Sequence, residues 1–471
     1  MNNPFLNDTI VAPATVPGTG AISILRVSGP DAFHLVDAVV QLKRGTVSES
    51  DAYSIHFASV SDLDDVLVSV FRAPHSYTGE DSVEISCHAS RFIVEEMLRR
   101  LVDAGCRMAE PGEFTRRAFL NGKMDLAQAE AVADVIASTS AASHRVAFNQ
   151  LRGGYSSELS ALRGKLVEMT SLLELELDFS EEDVEFADRE RLLSLIERTR
   201  SHVDRLAASF KDGNAIKNGV PVAIVGAANV GKSTLLNALV GEDRALVSEV
   251  AGTTRDTIEE VINLDGLLFR FIDTAGIRET SETVERMGIE RTFRKISEAE
   301  IVIGVLDATS DESELLNNLK LIIDRLDSSV QRLVICLNKV DLVGNSVVNK
   351  IVIVINEFVS RFDYEVIIVK SAFKRQIGLP ELRSALISLK SHLLECGDST
   401  FVTNERHYQA LLQTSSSLAH ARQALTSGAY SDLVAEDLRL AISSLNQILG
   451  QDLIDPETVL HEIFRRHCIG K

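Results

Sequence analysis

One stretch of the chain combines residue types and spacing suited to binding phosphate. Residues 226–233 read GAANVGKS and fit the pattern G-x-x-x-x-G-K-[ST]. The apolar run Val220–Val225 precedes them and a helical pattern follows, so backbone N–H groups at a helix N-terminus can wrap phosphate oxygens. In this arrangement Lys232 is expected to reach the β- and γ-phosphates, and the Ser233 hydroxyl is expected to bind Mg²⁺.

Further short motifs each follow an apolar run. Asp273–Gly276 (DTAG) offers a carboxylate for Mg²⁺ and a glycine N–H for the γ-phosphate. Asn338–Asp341 (NKVD) ends in a carboxylate that can accept hydrogen bonds from N1–H and the 2-amino group of guanine. Adenine has no donors there, so it would leave the Asp341 carboxylate unpaired. Ser371-Ala372 follows the next run, where a backbone N–H can meet guanine O6.

These motifs occur in chain order, each at the end of a predicted strand. Ligands bind at the carboxyl ends of strands in open α/β sheets, so the order predicts a guanine-nucleotide site. Between the first two motifs lies Gly252–Asp256 (GTTRD). A threonine in this loop usually completes Mg²⁺ coordination, and the candidate is Thr254, with Thr253 as its rival.

The residue that follows the DTAG motif is unusual for an enzyme that hydrolyses GTP. It is Ile277, where small GTPases carry a glutamine that orients the attacking water. Another group must take that role, or hydrolysis is very slow. The segment Ile277–Gly288 offers Glu279, Glu282 and Glu285. Spacing does not choose among these three, and a solvated acidic loop is the alternative.

Composition and charge restrict the class of protein. The chain has 471 residues, 45% of them apolar and 25% charged, and Lys plus Arg 48 against Asp plus Glu 68 gives a net charge of −20. Such a length suggests two to four domains of a globular protein. Each of the four sequence segments 1–121, 122–218, 219–380 and 381–471 has a net negative charge. This argues against a generic basic nucleic-acid binder. A polyanion would therefore be bound through local sites or a partner's surface.

Cysteine usage and hydropathy predict a cytoplasmic protein. The five cysteines are widely spaced and include no C-x-x-C, so neither a disulfide framework nor a zinc site is expected. The N-terminus lacks the basic and apolar regions of a signal peptide. No run of 18 apolar residues occurs, so no membrane span is expected.

The elements that would position these residues fall into four segments. Short β-like runs (Ala21–Val27, Val66–Phe71) and a helix at Phe92–Leu101 predict an α+β domain over 1–121. Long helical stripes over 122–218 and again over 381–471 predict one helical domain built from two stretches of the chain. Between them, over 219–380, apolar runs alternate with helical stretches, which predicts a doubly wound, mainly parallel sheet. The run KIVIVINEFV at 350–359 is ambiguous, because its composition favours a strand and its position favours a helix.

The motifs together resemble one family, the MnmE (TrmE) tRNA-modification GTPases. The resemblance rests on GAANVGKS, AGTTRD, DTAGIRET, VERMGIER, NKVD, the terminal CIGK and PGEFTRRAFLNGKMDLAQAEAVADVI, and it covers nearly the whole chain. It implies a P-loop GTPase domain inserted in a helical domain, after an N-terminal domain that dimerises and binds folate. It also implies potassium-stimulated GTP hydrolysis by a homodimer.

The family's chemistry is implied in the same way. With the flavoprotein MnmG, in a heterotetramer or larger complex, the chain would place an aminomethyl- or carboxymethylaminomethyl-type group on C5 of the wobble uridine of certain tRNAs. The one-carbon unit would come from 5-formyltetrahydrofolate or a related tetrahydrofolate. Because the chain is acidic, we expect tRNA to be bound mainly through the partner.

The resemblance also assigns residues. Potassium would be held by Asn229, Ser248, Val250 and Thr253, Mg²⁺ by Ser233 and Thr254, and folate by Arg26, Glu84, Lys123 and Lys471. Glu285 would orient the attacking water and act with Lys232 in catalysis, and Cys468 would lie near the folate as a possible catalytic thiol. The nucleotide-binding residues would be Asn229, Val230, Gly231, Lys232, Ser233, Thr234, Ser248, Thr253, Thr254, Asp273, Gly276, Asn338, Lys339, Asp341, Ser371 and Ala372.

Two other functions compete with this interpretation. One is a ribosome-assembly or signalling GTPase with an unrelated N-terminal module, although such proteins often carry a basic segment and none occurs here. The other is a folate-dependent transferase whose GTPase domain is only regulatory. Substitution of Lys232 would distinguish this transferase from the main interpretation. If the GTPase domain is only regulatory, modification would survive the loss of GTP turnover.

Overall fold

The computed structural model describes residues 7–178, 189–242, 260–272, 297–362, 364–395, 400–427, 431–451 and 470. The chain forms two compact units, each defined by its own internal contacts. One unit holds 1–136, 147–204 and 409–471, and the other holds 137–146 and 205–408. The division into four sequence segments stays a prediction.

The first unit begins with a seven-stranded sheet of order β3-β4-β5-β6-β2-β1-β7. Its strands are β1 (Ile10–Pro13), β2 (Ile22–Ser28), β3 (Gln41–Leu42), β4 (Ser54–Val60), β5 (Asp64–Phe71), β6 (Ser82–His88) and β7 (Arg107–Met108). Neighbouring strands are antiparallel, except that β1 and β7 are parallel. The strands and the helix predicted for this region are confirmed within three residues.

One face of this sheet holds the core. On β5, Val66, Val68 and Val70 are at most 2% exposed whereas Leu67 is 47% exposed, which is the alternation of a half-buried strand. Helices α1 (Ala32–Asp37) and α2 (Arg91–Ala104) pack on the buried face.

Helices follow the sheet along the chain. They are α3 (Glu113–Leu120), α4 (Leu126–Ala137), α5 (Ala141–Leu151), α6 (Gly154–Asp178), α7 (Arg189–Ala208) and α8 (Phe210–Asn218). The helical striping predicted over 122–218 is confirmed in α6, since its residues Leu159, Leu162, Leu166, Met169 and Leu173 are each at most 2% exposed.

The second unit contains a six-stranded sheet of order β13-β12-β11-β8-β10-β9. Its strands are β8 (Val220–Val225), β9 (Glu260–Leu264), β10 (Leu267–Ile272), β11 (Ile301–Asp307), β12 (Arg332–Asn338) and β13 (Val366–Lys370). All neighbours are parallel except β9, which forms a hairpin with β10. Apolar residues are buried on both faces of this sheet, so the predicted parallel core is confirmed.

The described helices from residue 232 onward follow in chain order. They are α9 (Lys232–Glu242), α10 (Glu312–Ile323), α11 (Asn345–Val359), α12 (Leu379–Leu389), α13 (His392–Glu395), α14 (Glu405–Thr426) and α15 (Ser431–Leu449). The ambiguous run 350–359 lies within α11 and is therefore helical. In the first unit α15 packs along α6, where Arg163 Nε donates to Asn446 Oδ1 at 2.6 Å. Of the predicted helical segment 381–471, residues 396–399, 428–430, 452–469 and 471 lie outside the described residues.

Candidate functional site

The phosphate loop lies between the end of β8 and the start of α9. Asn229 has φ +60° and Gly231 has φ +106°, so the loop turns through two left-handed residues. A Cβ atom on Gly226 would lie 2.4 Å from the Val305 carbonyl oxygen, and one on Gly231 would lie 2.3 Å from Asn338 Nδ2. Glycine is therefore required at both positions for the loop to take this shape.

The first residues of α9 supply the polar side chains of the loop. Lys232 Nζ donates to the carbonyl oxygens of Gly226 and Ala227 at 2.8 and 2.7 Å. Burial lowers the pKa of Lys232, because it removes water from the ammonium group. Ser233 and Thr234 follow, half-buried, in the same helical turn. A tight loop with a half-buried ammonium group fits the phosphates of a nucleotide, and Ser233 would contribute one ligand to their Mg²⁺ ion.

Asn338 connects the phosphate loop to the loop that follows β13. Its Nδ2 donates to the Val230 carbonyl at 2.8 Å, and its Oδ1 accepts from the Phe373 N–H at 3.1 Å. The Asn338 residue is 5% exposed. The first residue of the NKVD motif therefore acts as a structural bridge within the site.

The end of the same motif carries the expected base-recognising carboxylate. Asp341 lies in a short 3₁₀ helix, Val340–Leu342, and its Oδ2 is 3.1 Å from Nε of the exposed Arg375. Ser371 N–H donates to the Leu337 carbonyl and Ala372 N–H donates to the Ile377 carbonyl. Assignment of one of these N–H groups to guanine O6 stays a prediction, since both already have backbone acceptors here.

Asp307, at the end of β11, is a member of this cluster that sequence reasoning missed. Its Oδ2 lies 2.5 Å from Lys339 Nζ, and Thr309 donates to its Oδ1. Burial opposes ionisation of Asp307, but the hydrogen bonds from Lys339 and Thr309 hold its pKa below the ordinary value. The signal available in the sequence was an acid directly after a buried strand, as in the DTAG motif.

Several assigned residues lie outside the described stretches of the chain. They are Ser248, Val250, Thr253, Thr254, Asp273, Gly276, Glu285, Cys468 and Lys471, together with the alternatives Glu279 and Glu282. The strand before the DTAG motif, β10, ends at Ile272, which is paired with Ala223 on β8. The sheet thus brings the strand leading to this motif beside the strand that carries the phosphate loop.

A second cluster lies on the N-terminal sheet. Arg26 on β2 and Glu84 on β6 are directly opposed, and Glu84 Oε1 accepts from Arg26 Nη2 at 2.8 Å and from Nε at 3.0 Å. The Arg26 guanidinium lies 5.2 Å from the ring centroid of Tyr77, and its Nη1 is 3.4 Å from the carbonyl oxygen of Gly470. The residue before Lys471 therefore lies beside this pair.

The third described residue assigned to folate has a different partner. Lys123 Nζ donates to the Pro74 carbonyl at 2.8 Å and is exposed. The hydrogen bonds of the described residues do not join it to Arg26 or Glu84. The structure therefore brings two of the three together and leaves Lys123 attached to the loop before β6.

An ionic cluster around a buried arginine on the same unit was also missed by sequence reasoning. Arg117 is 1% exposed, and its Nη2 contacts Asp8 Oδ1 at 2.5 Å and Glu113 Oε1 at 3.1 Å. Arg107 contacts both of these carboxylates, and Glu80 lies 3.3 Å from Arg117 Nη1. We call these five residues the Arg117 cluster. Burial works against the charge of Glu113, yet hydrogen bonds from Arg107 and the Glu110 N–H hold its pKa below the ordinary value.

The phosphate loop, the NKVD motif and the mainly parallel sheet together define a P-loop GTPase. The family described as "MnmE helical domain" matches residues 126–468, and that described as "GTP-binding protein TrmE N-terminus" matches residues 9–123. The chain therefore belongs to the MnmE family, which confirms the resemblance and the predicted fold class.

Relatives named tRNA modification GTPase MnmE match over their full length. The protein of Bacteroides thetaiotaomicron is 47% identical over 470 residues, covering 98% of this chain and 99% of the relative. Those of Parabacteroides distasonis and Christiangramia forsetii are 45% and 46% identical, covering 98% and 99% of this chain and 100% of each relative. The predicted enzyme class, a GTP hydrolase, is confirmed. Among the helices in the described ranges, none is long and apolar enough to cross a membrane.

Proposed function

We propose that this GTPase acts in modification of the wobble uridine of certain tRNAs, in the cytoplasm, together with the flavoprotein MnmG. The product would carry an aminomethyl- or carboxymethylaminomethyl-type group at C5. The observation that supports this proposal is the match over nearly the whole chain to proteins named tRNA modification GTPase, combined with a fully built phosphate loop.

Mass spectrometry of wobble uridines tests the proposal. A strain without this protein should lack the modified nucleoside, and the wild-type gene should restore it. The Lys232→Ala variant should not restore it, because the phosphates lose the ammonium group. Modified wobble uridines that persist unchanged in the strain without this protein would contradict the proposal, and modification restored by Lys232→Ala would show that GTP turnover does not contribute to the mechanism.

The one-carbon unit is proposed to come from a tetrahydrofolate bound at Arg26 and Glu84. A guanidinium suits the carboxylates of a folate's glutamate tail, and a carboxylate can accept from the N–H groups of a pterin. The ring of the half-buried Tyr77 lies 5.2 Å from the guanidinium, so an aromatic side chain stands beside this pair. The proposal extends to Lys123, and to Lys471 and Cys468 outside the described residues.

Titration of the protein with 5-formyltetrahydrofolate measures this site directly. Arg26→Met should weaken binding at least tenfold, as expected for loss of a charged hydrogen bond. The matched control is Lys43→Met, which removes a cation that lies 4.3 Å from the Phe57 ring on the same sheet. Equal affinity of Arg26→Met and wild type would place the folate elsewhere.

Potassium is proposed to bind beside the phosphates, with Asn229 as its described ligand. Asn229 is exposed within the phosphate loop, and a cation there would offset charge that develops on the phosphates. Thr253, with the carbonyls of Ser248 and Val250, would complete the site, Thr254 would join Ser233 on Mg²⁺, and Glu285 would orient water. The pairing of two GTPase domains would then gate hydrolysis.

The cation dependence of GTP turnover tests this role. Wild type should be several-fold faster in potassium than in sodium, whereas Asn229→Gly should show equal rates. Glycine is the informative substitution because it keeps the left-handed conformation at φ +60°, while alanine would add strain of about 1 kcal/mol. A potassium preference that survives Asn229→Gly would remove this residue from the site.

Homodimer formation is proposed to involve the N-terminal sheet. The face that carries Glu84 also exposes Ile55 (69%) and Phe57 (44%) on β4 and Leu67 (47%) on β5. An apolar face of this kind is typical of an interaction surface. Light scattering should give a dimer for wild type and a monomer for Ile55→Asp. A dimer that persists in Ile55→Asp would exclude this face.

The net charge of −20 supports delivery of tRNA by the partner. At physiological salt the isolated chain should bind tRNA weakly, and its mixture with MnmG should bind tightly. Tight binding by the isolated chain would contradict this aspect of the proposal.

A further inference from the structure

We propose that Asp307 is a positioning residue of the nucleotide site, which holds the Lys339 side chain in place before the nucleotide binds. The inference rests on guanine-nucleotide binding at the NKVD motif and adds a residue outside the motifs that predicted the site. The Lys339 side chain would then be a rigid part of the site that binds the guanine base. Its ammonium group would be directed to Asp307 and its aliphatic stem would be available to the nucleotide.

The strand register places the two residues together. β11 and β12 are parallel, and Asp307 is directly opposite Asn338, so Lys339 follows at the same edge of the sheet. Lys339 Nζ lies 2.5 Å from Asp307 Oδ2, and the side chain of Asp307 is 12% exposed. A charged pair with one partner so nearly buried is screened less than a surface pair.

The Asp307 carboxylate is itself held in one orientation. Its Oδ1 accepts from the Thr309 N–H at 2.9 Å and from the Thr309 hydroxyl at 2.7 Å. Its Oδ2 is thereby left to the lysine. The two Thr309 donors therefore orient the carboxylate and define where the ammonium group must lie.

The residues on either side of Lys339 are already tied to the rest of the site. Asn338 binds the phosphate loop, and the Val340 N–H donates to the Ser371 carbonyl at 3.1 Å. Lys339 itself has φ +64° and a side chain that is 31% exposed. A long lysine side chain has many rotamers, so fixing it in advance reduces the entropic cost of ordering it when the nucleotide binds.

Binding of fluorescently labelled GDP to the full chain measures the effect. Asp307→Asn should raise the dissociation constant about tenfold, the size expected when a charged hydrogen bond is lost. Thr309→Val should weaken binding less and in the same direction, because the carboxylate remains but is no longer oriented. The matched control is Asp311→Asn, an exposed acid with the same charge change at the N-cap of α10, and it should bind GDP like wild type.

A double-mutant cycle separates positioning from a general structural effect. In the background of Lys339→Met, Asp307→Asn should change GDP binding by less than twofold, since the side chain that it positions is gone. An equal loss in both backgrounds, or wild-type affinity for Asp307→Asn, would overturn the proposal. If Asp307→Asn does not fold, as its melting temperature would show, the same cycle with Thr309→Val decides. A wild-type chain that does not bind GDP would instead overturn the nucleotide site itself.

Discussion

The phosphate loop and the Arg117 cluster both contain charged or polar groups that the fold partly buries, but they are assembled in different ways. The nucleotide site gathers short motifs, each at the end of a strand in one mainly parallel sheet. The Arg117 cluster joins residues as far apart in sequence as Asp8 and Arg117. The phosphate loop holds an ammonium group that contacts only backbone carbonyls among the described residues, whereas the Arg117 cluster pairs its cations with carboxylates of the chain itself.

This difference separates groups that bind from groups that hold the fold. Lys232 donates to two backbone carbonyls and pairs with no carboxylate of the residues that the structure describes, so an anionic ligand can supply the missing charge. Arg117 contacts three carboxylates and is 1% exposed. We therefore expect substitutions in the Arg117 cluster to lower stability and those around the phosphate loop to lower nucleotide affinity.

Glu113→Gln should have the largest effect. The side chain of Glu113 is fully buried, and its replacement leaves Arg107 and Arg117 with less negative charge around them. Loss of one partner from a buried ionic group costs about 3–5 kcal/mol. Chemical unfolding of the full chain measures the loss, and GDP affinity should not change. Glu110→Gln, in a pair with Arg116 at 55% exposure, is the control and should cost less than about 1 kcal/mol.

The pH dependence of the same variant follows from the lowered pKa of Glu113. A carboxyl whose pKa is lower in the folded than in the unfolded protein stabilises the fold above the unfolded value, 4.5. That contribution is lost as the pH falls through the folded value. The difference in unfolding free energy between wild type and Glu113→Gln should therefore be constant near neutrality and narrow below pH 4.5. A difference that widens on acidification would reverse the assigned sign.

Asn338→Ala should act on the phosphate loop and lower nucleotide affinity. The substitution leaves the Val230 carbonyl and the Phe373 N–H without their side-chain partner, a loss of about 1–3 kcal/mol. GDP should bind roughly tenfold to hundredfold more weakly in a fluorescence titration. The control is Asn345→Ala at the exposed start of α11. Unchanged affinity in Asn338→Ala would mean that the bridge does not shape the phosphate loop.

Arg439→Ala should have the smallest effect. Arg439 pairs with Glu174 at 2.6 Å, but the two side chains are 59% and 45% exposed. Exposed pairs contribute about 0–1 kcal/mol, so unfolding should shift little and the residual effect should vanish in high salt. A loss as large as that of Glu113→Gln would show that burial does not explain the stability expected from the Arg117 cluster.

Much of the fold could be predicted because the patterns are local. The stripe of α6 and the strand Val220–Val225 appear directly in the spacing of apolar residues. The run 350–359 could not be assigned, because β-branched residues suit a strand. Its helix follows from burial of Val348, Ile355 and Val359, which are spaced seven and four residues apart on one face. Strand β9 was missed, although Asp265-Gly266 between it and β10 is a hairpin turn signal.

The candidate sites likewise contain some residues that local motifs predict and others that depend on strand pairing. The phosphate loop and Asp341 are recognisable because each function needs a fixed local spacing. Asp307 has no motif of its own, and its role depends on the register of β11 against β12. The pairing of Arg26 with Glu84, 58 residues apart, likewise depends on the register of two antiparallel strands.

The amino-acid sequence by itself determined the class of this protein, its family and the order of its nucleotide motifs, since these depend on residue type and short spacing. The tertiary structure decided which charges meet. It placed Asn338 against the phosphate loop, Asp307 against Lys339 and Asp8 against Arg117. The physical reason is that hydrogen bonds and ion pairs act over a few ångströms, and the packing of strands and helices alone brings distant residues within that range.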